Sequence, residues 1–218
     1  MSTSSSLRSR RTESSATGLA SPRKKLRGRR VAAPIAALAW ILALPATAEE
    51  ETYTIDPRHS QPYYEVRHLG FSQQRGTFLK LSGTITLDRV AKTGTVNVLI
   101  DPASVRSSDP VLDNVLKSEA YFNVERFPTL TFRSNDVRFD GDRVVEVVGD
   151  LTMLGVTRAV TLKVDDFACG VDPVFKRALC GAEVTTTIKR SDWGMTRGIP
   201  FAPADEVKIA IPVEAYRR

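Results

Sequence analysis

The chain has 218 residues, with 31 Lys and Arg against 25 Asp and Glu, which gives a formal net charge of +6. The first 48 positions contain nine of the basic residues and only one of the acidic residues. The other 170 residues therefore hold 22 basic and 24 acidic side chains, a net charge of −2. This remainder is long enough for one domain with a sizeable core, and its charge disfavours binding to nucleic acid.

The first 48 residues have the three parts of a secretory signal peptide. A basic n-region covers residues 1–30, the apolar h-region "VAAPIAALAWILAL" covers residues 31–44, and the triplet Ala46-Thr47-Ala48 predicts cleavage after Ala48. Fourteen apolar residues are fewer than the ~20 of a membrane helix, so we expect a periplasmic protein with no membrane span after cleavage. A retained signal anchor is the alternative. The long, Ser-rich n-region is either a disordered extension or the result of a start codon assigned too far upstream.

Residues 49–218 are predicted to form one all-β domain. Runs of β-branched residues separated by Gly, Asp, Pro and Asn predict strands at Tyr53–Asp56, Tyr63–His68, Gly76–Asp88, Gly94–Asp101, Thr129–Phe139, Arg143–Leu154, Arg158–Phe167, Ala178–Lys189 and Glu206–Tyr216. Their short connections favour antiparallel pairing, and Asp140-Gly141 in "FDGDR" predicts a tight hairpin. One short helix is predicted at Pro110–Ser118, with Asp109 as its N-cap and Pro110 as its first residue.

Apolar and polar residues alternate along most of these strands, so each strand has one dry face and one wet face. The dry faces include Leu79, Leu81, Ile85 and Leu87 in "TFLKLSGTITLD" and, further along the chain, Val145, Val147, Leu151 and Met153. A sandwich and a closed barrel both satisfy this pattern, but about eight long antiparallel strands favour a single barrel because closure removes exposed edges. The pattern does not decide whether side chains fill the barrel or line a hollow that holds a guest.

The two cysteines of the chain, Cys169 and Cys180, flank the turn sequence "GVDP". In an exported protein an even pair this close predicts a disulfide, here between the two strands of one hairpin. Neither cysteine belongs to a Cys-x-x-Cys motif, which argues against thioredoxin-like redox chemistry and against haem attachment.

Several stretches resemble the YceI-like family, exported β-barrel proteins that bind polyisoprenoids and related amphiphilic lipids. In chain order these stretches are "YTIDPRHSQPYYEVRHLG", "RGTFLKLSGTITLD", "IDPASVRSSDPVLDNVLKSEAYFNVERFPTLTFRS", "VVGDLTMLGVTRAVTL" and "TIKRSDWGM". The resemblance implies a single lipocalin-like barrel, with a short helix between strands, whose hollow interior takes a long isoprenoid, quinone or fatty-acyl chain.

On this interpretation the inward faces of the strands and the helix form an apolar ligand lining. We expect that lining to comprise Val66, Leu79, Leu81, Ile85, Val98, Ile100, Leu112, Leu116, Phe132, Val147, Leu151, Met153, Leu162, Val184, Ile188 and Ile209. The candidates for contact with a polar head group at the barrel mouth are His59, His68, Arg106, Asp109 and Arg190. For Arg190 a structural Arg–Asp pair that closes a strand end is the alternative, and Arg106 and Asp109 carry the same ambiguity.

The sequence gives little support for catalysis or for a metal site. No Gly-x-Ser-x-Gly elbow is present, and the adjacent His59 and Ser60 would point to opposite faces of a strand, which disfavours a hydrolase. No His or Cys cluster supplies further ligands to His59 or His68, so we expect no metal, no catalytic residues and no cofactor other than a bound lipid.

We therefore expect an exported lipid-binding protein that is not an enzyme, with a long-chain lipid as its partner. A filled barrel that serves as an interaction or stress-response module of the periplasm is the alternative, and a secreted hydrolase is the least favoured reading. Association of two barrels into a homodimer is left open by the sequence.

Overall fold

A computed structural model describes residues 50–218 of the protein, so the predicted signal peptide, residues 1–48, lies outside the described residues. The described part contains one α-helix, α1 (Pro110–Lys117), two short 3₁₀ helices (Pro102–Ser104 and Arg190–Trp193) and eleven strands: β1 (Glu51–Ile55), β2 (Tyr63–His68), β3 (Ser72–Phe78), β4 (Leu81–Asp88), β5 (Thr93–Ile100), β6 (Val105–Arg106), β7 (Leu130–Asp140), β8 (Arg143–Met153), β9 (Val156–Val171), β10 (Ala178–Lys189) and β11 (Glu206–Arg217). Within residues 50–218 no helix has the length and apolar character that a membrane crossing requires.

Eight of the strands close into an antiparallel barrel. The order around the barrel is β1, β4, β5, β7, β8, β9, β10 and β11, and the ring closes where Tyr53 to Ile55 of β1 pair with Ala215 to Arg217 of β11. The other half of β11 pairs with β2, which carries β3 and β6 as a short extension of the same sheet. The predicted all-β fold, a single eight-stranded antiparallel barrel with one short helix, is confirmed.

The two ends of the barrel differ in how the strands are connected. At one end, the hairpin end, short turns join β4 to β5, β7 to β8, and β9 to β10. At the other, the helix end, lie the connection 101–129 with α1, the connection 190–205 and the turn between β2 and β3. Because the long connections gather at the helix end, side chains from outside the strands reach the interior there.

The predicted strand Gly76–Asp88 is wrong in one respect, because it is two strands with a break at Leu79 and Lys80. The Leu79 amide donates to the Ser104 carbonyl (3.3 Å) and the Lys80 amide donates to Ser104 Oγ (3.0 Å), so both leave the ladder of the barrel. Leu79 is 42% exposed as a result. The prediction that Leu79 lies on the dry face is therefore wrong, because it assumed that the alternation continues through the break.

Register shifts in the pairing of β7 with β8 and of β9 with β10 change which residues face inward. The pairing of β7 with β8 slips between Arg138 and Phe139, so Val144 is buried at 6% exposure and the predicted inward position of Val145 is wrong. In β9, Asp166 has a φ of 52° where the register with β10 slips, and the extra residue returns Phe167 to the inward face. Because each shift adds one residue, the inward positions change parity beyond it, and apolar residues continue to face the interior.

The helix and the disulfide agree with the sequence-based predictions. The Asp109 carboxylate accepts a hydrogen bond from the Val111 amide (2.9 Å), as an N-cap does, and Pro110 opens α1. Cys169 and Cys180 lie opposite each other on β9 and β10 and form a disulfide across that hairpin.

Candidate functional site

The barrel encloses an internal cavity of about 260 Å³. Its walls come from all eight barrel strands and from β2 and β3, while Leu116 of α1 and residues of both long connections line it at the helix end. Most of the lining side chains are aliphatic or aromatic. A dry apolar cavity of about 150 Å³ is enough for a benzene-sized guest, so this one has room for a larger hydrocarbon.

Fourteen of the sixteen residues predicted for the lining do face the cavity. They are Val66, Leu81, Ile85, Val98, Ile100, Leu116, Phe132, Val147, Leu151, Met153, Leu162, Val184, Ile188 and Ile209. Leu79 does not, because it lies at the break between β3 and β4, and Leu112 does not, because it is half-buried on a face of α1 away from the lining. Whether the fourteen contact a ligand stays a prediction.

Several aromatic residues of the lining were missed by the sequence analysis. Tyr64, Phe78 and Phe122 lie in a row, the first pair tilted with ring centroids 6.3 Å apart and the second pair edge to face at 5.4 Å. Phe78 could have been found only by placing the strand break correctly, since it has the opposite parity to Leu81. Gly76 makes the row fit, because any Cβ at that position would overlap the Tyr64 hydroxyl.

Arg190 lies at the helix end of the cavity lining and is 3% exposed. Its guanidinium donates to four backbone carbonyls, those of Met195 (2.7 Å), Arg197 (2.8 Å), Pro203 (2.7 Å) and Ala204 (2.9 Å). Burial lowers the pKa of Arg190 from its ordinary value. Arg190 thus holds the connection 190–205 in place, and its contact with a ligand head group stays a prediction.

The alternative prediction, an Arg–Asp pair at Arg190, is met only by a charge interaction with Asp205, because no ion pair joins these two residues within 50–218. Asp205 instead accepts hydrogen bonds from the Ser191 amide (2.9 Å) and the Ser191 hydroxyl (2.8 Å). Asp192 contributes its backbone carbonyl to Arg158 (3.2 Å). The strand end is therefore closed by carbonyls and by a Ser–Asp contact.

The other predicted head-group residues do not line the cavity. Asp109 caps α1, and Arg106 keeps its Nε 3.9 Å from the Asp113 carboxylate. His68 is exposed at the end of β2, and His59 is exposed near the end of β1. The structure does not bring these four side chains together around the interior.

His59 lies on the outer face of the barrel with two carboxylates. Its Nδ1 is 2.8 Å from Asp56 Oδ2 and 3.6 Å from Glu214 Oε2, and Glu214 points outward because its neighbours on β11, Val213 and Ala215, line the cavity. The hydrogen bond to Asp56 and the charge of Glu214 raise the pKa of His59. Potential metal-ligand atoms of the three residues lie within 4.8 Å of one another, and both neighbours of His59 are carboxylates, so the expectation of no metal stays a prediction.

The polar groups of the interior are few and sit at its two ends. At the helix end Tyr64 and Tyr121 join Arg190 in the lining, and burial raises the pKa of Tyr64 to about 12, so its hydroxyl is neutral at physiological pH. At the hairpin end the Tyr53 hydroxyl donates to Glu51 Oε2 (2.8 Å). Between these ends the walls are almost entirely apolar, which suits a guest with a long hydrocarbon part.

A closed antiparallel barrel around an apolar cavity defines a lipocalin-like β-barrel. The chain belongs to the YceI-like family, because the family model for the YceI-like domain matches residues 53–215. Protein YceI from Salmonella arizonae is 35% identical over 185 residues, which cover 83% of this chain and 95% of that protein.

Solved structures share the fold. A crystal structure of Burkholderia cenocepacia BcnA superimposes with a TM-score of 0.63 at 22% identity, covering 73% of this chain and 98% of that one. The YceI protein of Campylobacter jejuni gives a TM-score of 0.56 at 25% identity, covering 70% and 90%. A polyisoprenoid-binding domain from Saccharophagus degradans, implicated in plant cell wall breakdown, gives 0.57 at 16% identity, covering 76% and 98%.

Proposed function

We propose that this protein is exported and holds one polyisoprenoid, quinone or other long-chain amphiphile inside its barrel, for transport, storage or sequestration in the cell envelope. The observation that carries the proposal is the apolar cavity of about 260 Å³ along the barrel interior. Membership of the YceI-like family and the fold shared with a polyisoprenoid-binding domain support the class of ligand. The signal-peptide pattern of residues 1–48 supports export to the periplasm.

The physics of the cavity favours a hydrocarbon chain over a compact polar ligand. Each Å² of apolar surface removed from water contributes about 25 cal/mol, so an aliphatic chain gains affinity along its whole buried length. A charged ligand would lose its hydration and find, in Arg190, a guanidinium whose hydrogen bonds already go to the backbone. The protein therefore acts by binding, and no residue is assigned a catalytic role.

The test is to purify the exported protein and weigh it intact by native mass spectrometry before and after extraction with organic solvent. We expect a mass difference on extraction and one-to-one reloading with a polyprenyl alcohol. A protein that carries no apolar molecule and takes up neither polyprenyl nor quinone probes would refute the proposal and favour the filled-barrel module.

Two neighbouring positions of β10 provide a matched pair of variants. Ala182 faces the cavity, whereas Glu183 is exposed on the outer face of the barrel. Ala182→Phe should fill the interior and reduce polyprenyl uptake by about tenfold or more, the equivalent of displacing a few buried methylenes. Glu183→Phe adds the same ring outside the barrel and should leave uptake unchanged. Equal uptake by both variants would place the ligand elsewhere.

A further inference from the structure

Two adjacent loops at the helix end expose a cluster of large apolar side chains, here called the Phe71–Phe201 tip. It consists of Leu69 and Phe71 in the turn between β2 and β3 and Phe201 in the connection 190–205, which are 51%, 89% and 76% exposed. The two loops are joined, since the Leu69 amide donates to the Phe201 carbonyl (3.2 Å). Apolar side chains clustered in water mark a contact surface more often than a random feature of the fold.

The tip adjoins the cavity through both of its loops. Val66, three residues before Leu69, lines the cavity, and so does Pro203, two residues after Phe201. A second hydrogen bond, from the Ala204 amide to the Arg67 carbonyl (2.9 Å), fixes the loops at their bases. Anything that covers the tip therefore lies against the helix end of the cavity.

The charge around the tip indicates what it contacts. Residues 67–75 and 193–204 contain Arg67, Arg75 and Arg197 and no acidic residue, although Asp192 and Asp205 flank the second range. The Arg67 guanidinium donates to the Gly70 carbonyl, and the Arg75 guanidinium pairs with Glu65. Apolar side chains flanked by arginines fit a surface whose outer layer is anionic and whose deeper layer is apolar.

The hairpin end supplies an internal comparison. It also exposes apolar residues, with Val174 at 76% and Phe175 at 66%, but the turn that carries them, residues 165–178, holds three aspartates against two basic residues. Apolar exposure alone would not choose between the ends. The charge next to the apolar residues selects the Phe71–Phe201 tip, because basic residues are attracted to anionic lipid headgroups and acidic residues are repelled.

We propose that the Phe71–Phe201 tip docks the protein on the surface of an anionic phospholipid bilayer. Leu69, Phe71 and Phe201 enter the boundary between headgroups and acyl chains, and Arg67 and Arg197 lie at the level of the phosphates. Docking sets the helix end of the cavity against the membrane, where an amphiphile could pass between bilayer and barrel. The docking itself uses no residue of the barrel interior.

The test measures co-sedimentation of the exported, solvent-extracted protein with phosphatidylcholine vesicles, with and without phosphatidylglycerol. We expect binding to the anionic vesicles that weakens at high salt, as the screening of headgroup charge requires. The double variant Phe71→Ser and Phe201→Ser should bind at least about tenfold more weakly, because two aromatic side chains no longer leave water. The matched double variant Val174→Ser and Phe175→Ser at the hairpin end should bind like the wild type.

Three results would each overturn the docking proposal. These are a wild-type protein that ignores both kinds of vesicle, equal binding to neutral and anionic vesicles, and hairpin-end substitutions that cost as much as those at the tip. Far-ultraviolet circular dichroism confirms that each variant is folded before it is compared. Ala182→Phe keeps the tip and blocks the cavity, so it should dock normally, which separates a failure of docking from a failure of internal lipid binding.

Discussion

At the scale of single residues, Arg190 shows how a buried charge can be structural in a protein built to bind. Its guanidinium is 3% exposed and makes four hydrogen bonds to carbonyls of the connection 190–205. That connection carries no strand, so its carbonyls would otherwise face the interior without partners. A planar fork of five donors on three nitrogens can serve four spread-out carbonyls at once, whereas a lysine ammonium has three donors on one nitrogen.

We expect Arg190→Lys to lower the free energy of unfolding by about 3 kcal/mol or more, because several buried carbonyls lose charged hydrogen-bond donors. Urea unfolding followed by tryptophan fluorescence would measure the loss. Lys189→Gln, at the exposed neighbouring position, should change stability by less than about 0.5 kcal/mol. A lysine variant as stable as the wild type would show that the connection does not depend on the guanidinium.

The contact of His59 with Asp56 makes stability depend on pH. The pKa of His59 is raised above 6.5 by the Asp56 hydrogen bond, so the stabilisation from its charge is complete below pH 6.5 and is lost as the pH rises through the folded value. Burial acts to raise the pKa of Asp56, but hydrogen bonds from the Arg58 amide and His59 lower it below 3.8, so its contribution is lost only in stronger acid. The pair stabilises the fold most between these limits.

Thermal unfolding across this range would test the pair. His59→Asn should lower the melting temperature most near pH 6, and the difference from the wild type should disappear well above pH 6.5. His68→Asn is the control, since the side chain of His68 makes no ion pair with any residue between 50 and 218. A constant difference at every pH would assign His59 a packing role only.

At the scale of elements, the sequence predicts the strands well and their irregularities poorly. Alternation placed Leu81, Ile85 and Phe132 correctly because each lies in an uninterrupted ladder. It failed at Leu79 and Val145, where a contact with Ser104 and a bulge opposite β7 change the parity. Both causes are contacts between segments distant in the chain, so no local pattern reports them.

The β9–β10 hairpin is held together by its disulfide, which closes a separation of 11 residues. Arg89 lies against it, with Nη2 2.8 Å from Cys169 Sγ and its guanidinium carbon 5.8 Å from the centre of the Phe167 ring, so the same bond organises the hairpin end. A cross-link of this length restricts the unfolded chain by about 3 kcal/mol.

The double variant Cys169→Ala and Cys180→Ala should therefore unfold at a lower urea concentration, by about 3 kcal/mol in the free energy of unfolding. Alanine keeps the Cys180 position apolar toward the cavity, so the loss reports the cross-link rather than a buried polar group. A thiol reductant should destabilise the wild type and have no effect on the variant. Equal stability of the two proteins without reductant would contradict this view.

At the scale of the whole molecule, the closed barrel shows whether the interior is filled or hollow, which the alternating pattern alone does not decide. The sequence left a filled barrel and a hollow barrel equally consistent with the strands, because both need apolar residues inside. Medium-sized aliphatic side chains dominate the middle of the walls, and the aromatic row of Tyr64, Phe78 and Phe122 lies to one side of the interior. The curvature of the closed sheet sets the enclosed space, and because that space exceeds the summed volume of these side chains the centre stays open.

The size of the cavity leads to a prediction about ligand length. Affinity for prenyl alcohols should increase with each added isoprene unit while the cavity fills, by about 0.8 kcal/mol for each buried methylene, and then level off once further carbons stay outside the barrel. Titration calorimetry at several temperatures would measure both the affinity and a negative heat-capacity change, the signature of apolar burial. In Ala182→Phe the plateau should arrive at a shorter chain, since the added ring occupies part of the same space. Affinity that does not depend on chain length, or that keeps rising through the longest alcohols, would contradict a ligand enclosed by a cavity of this volume.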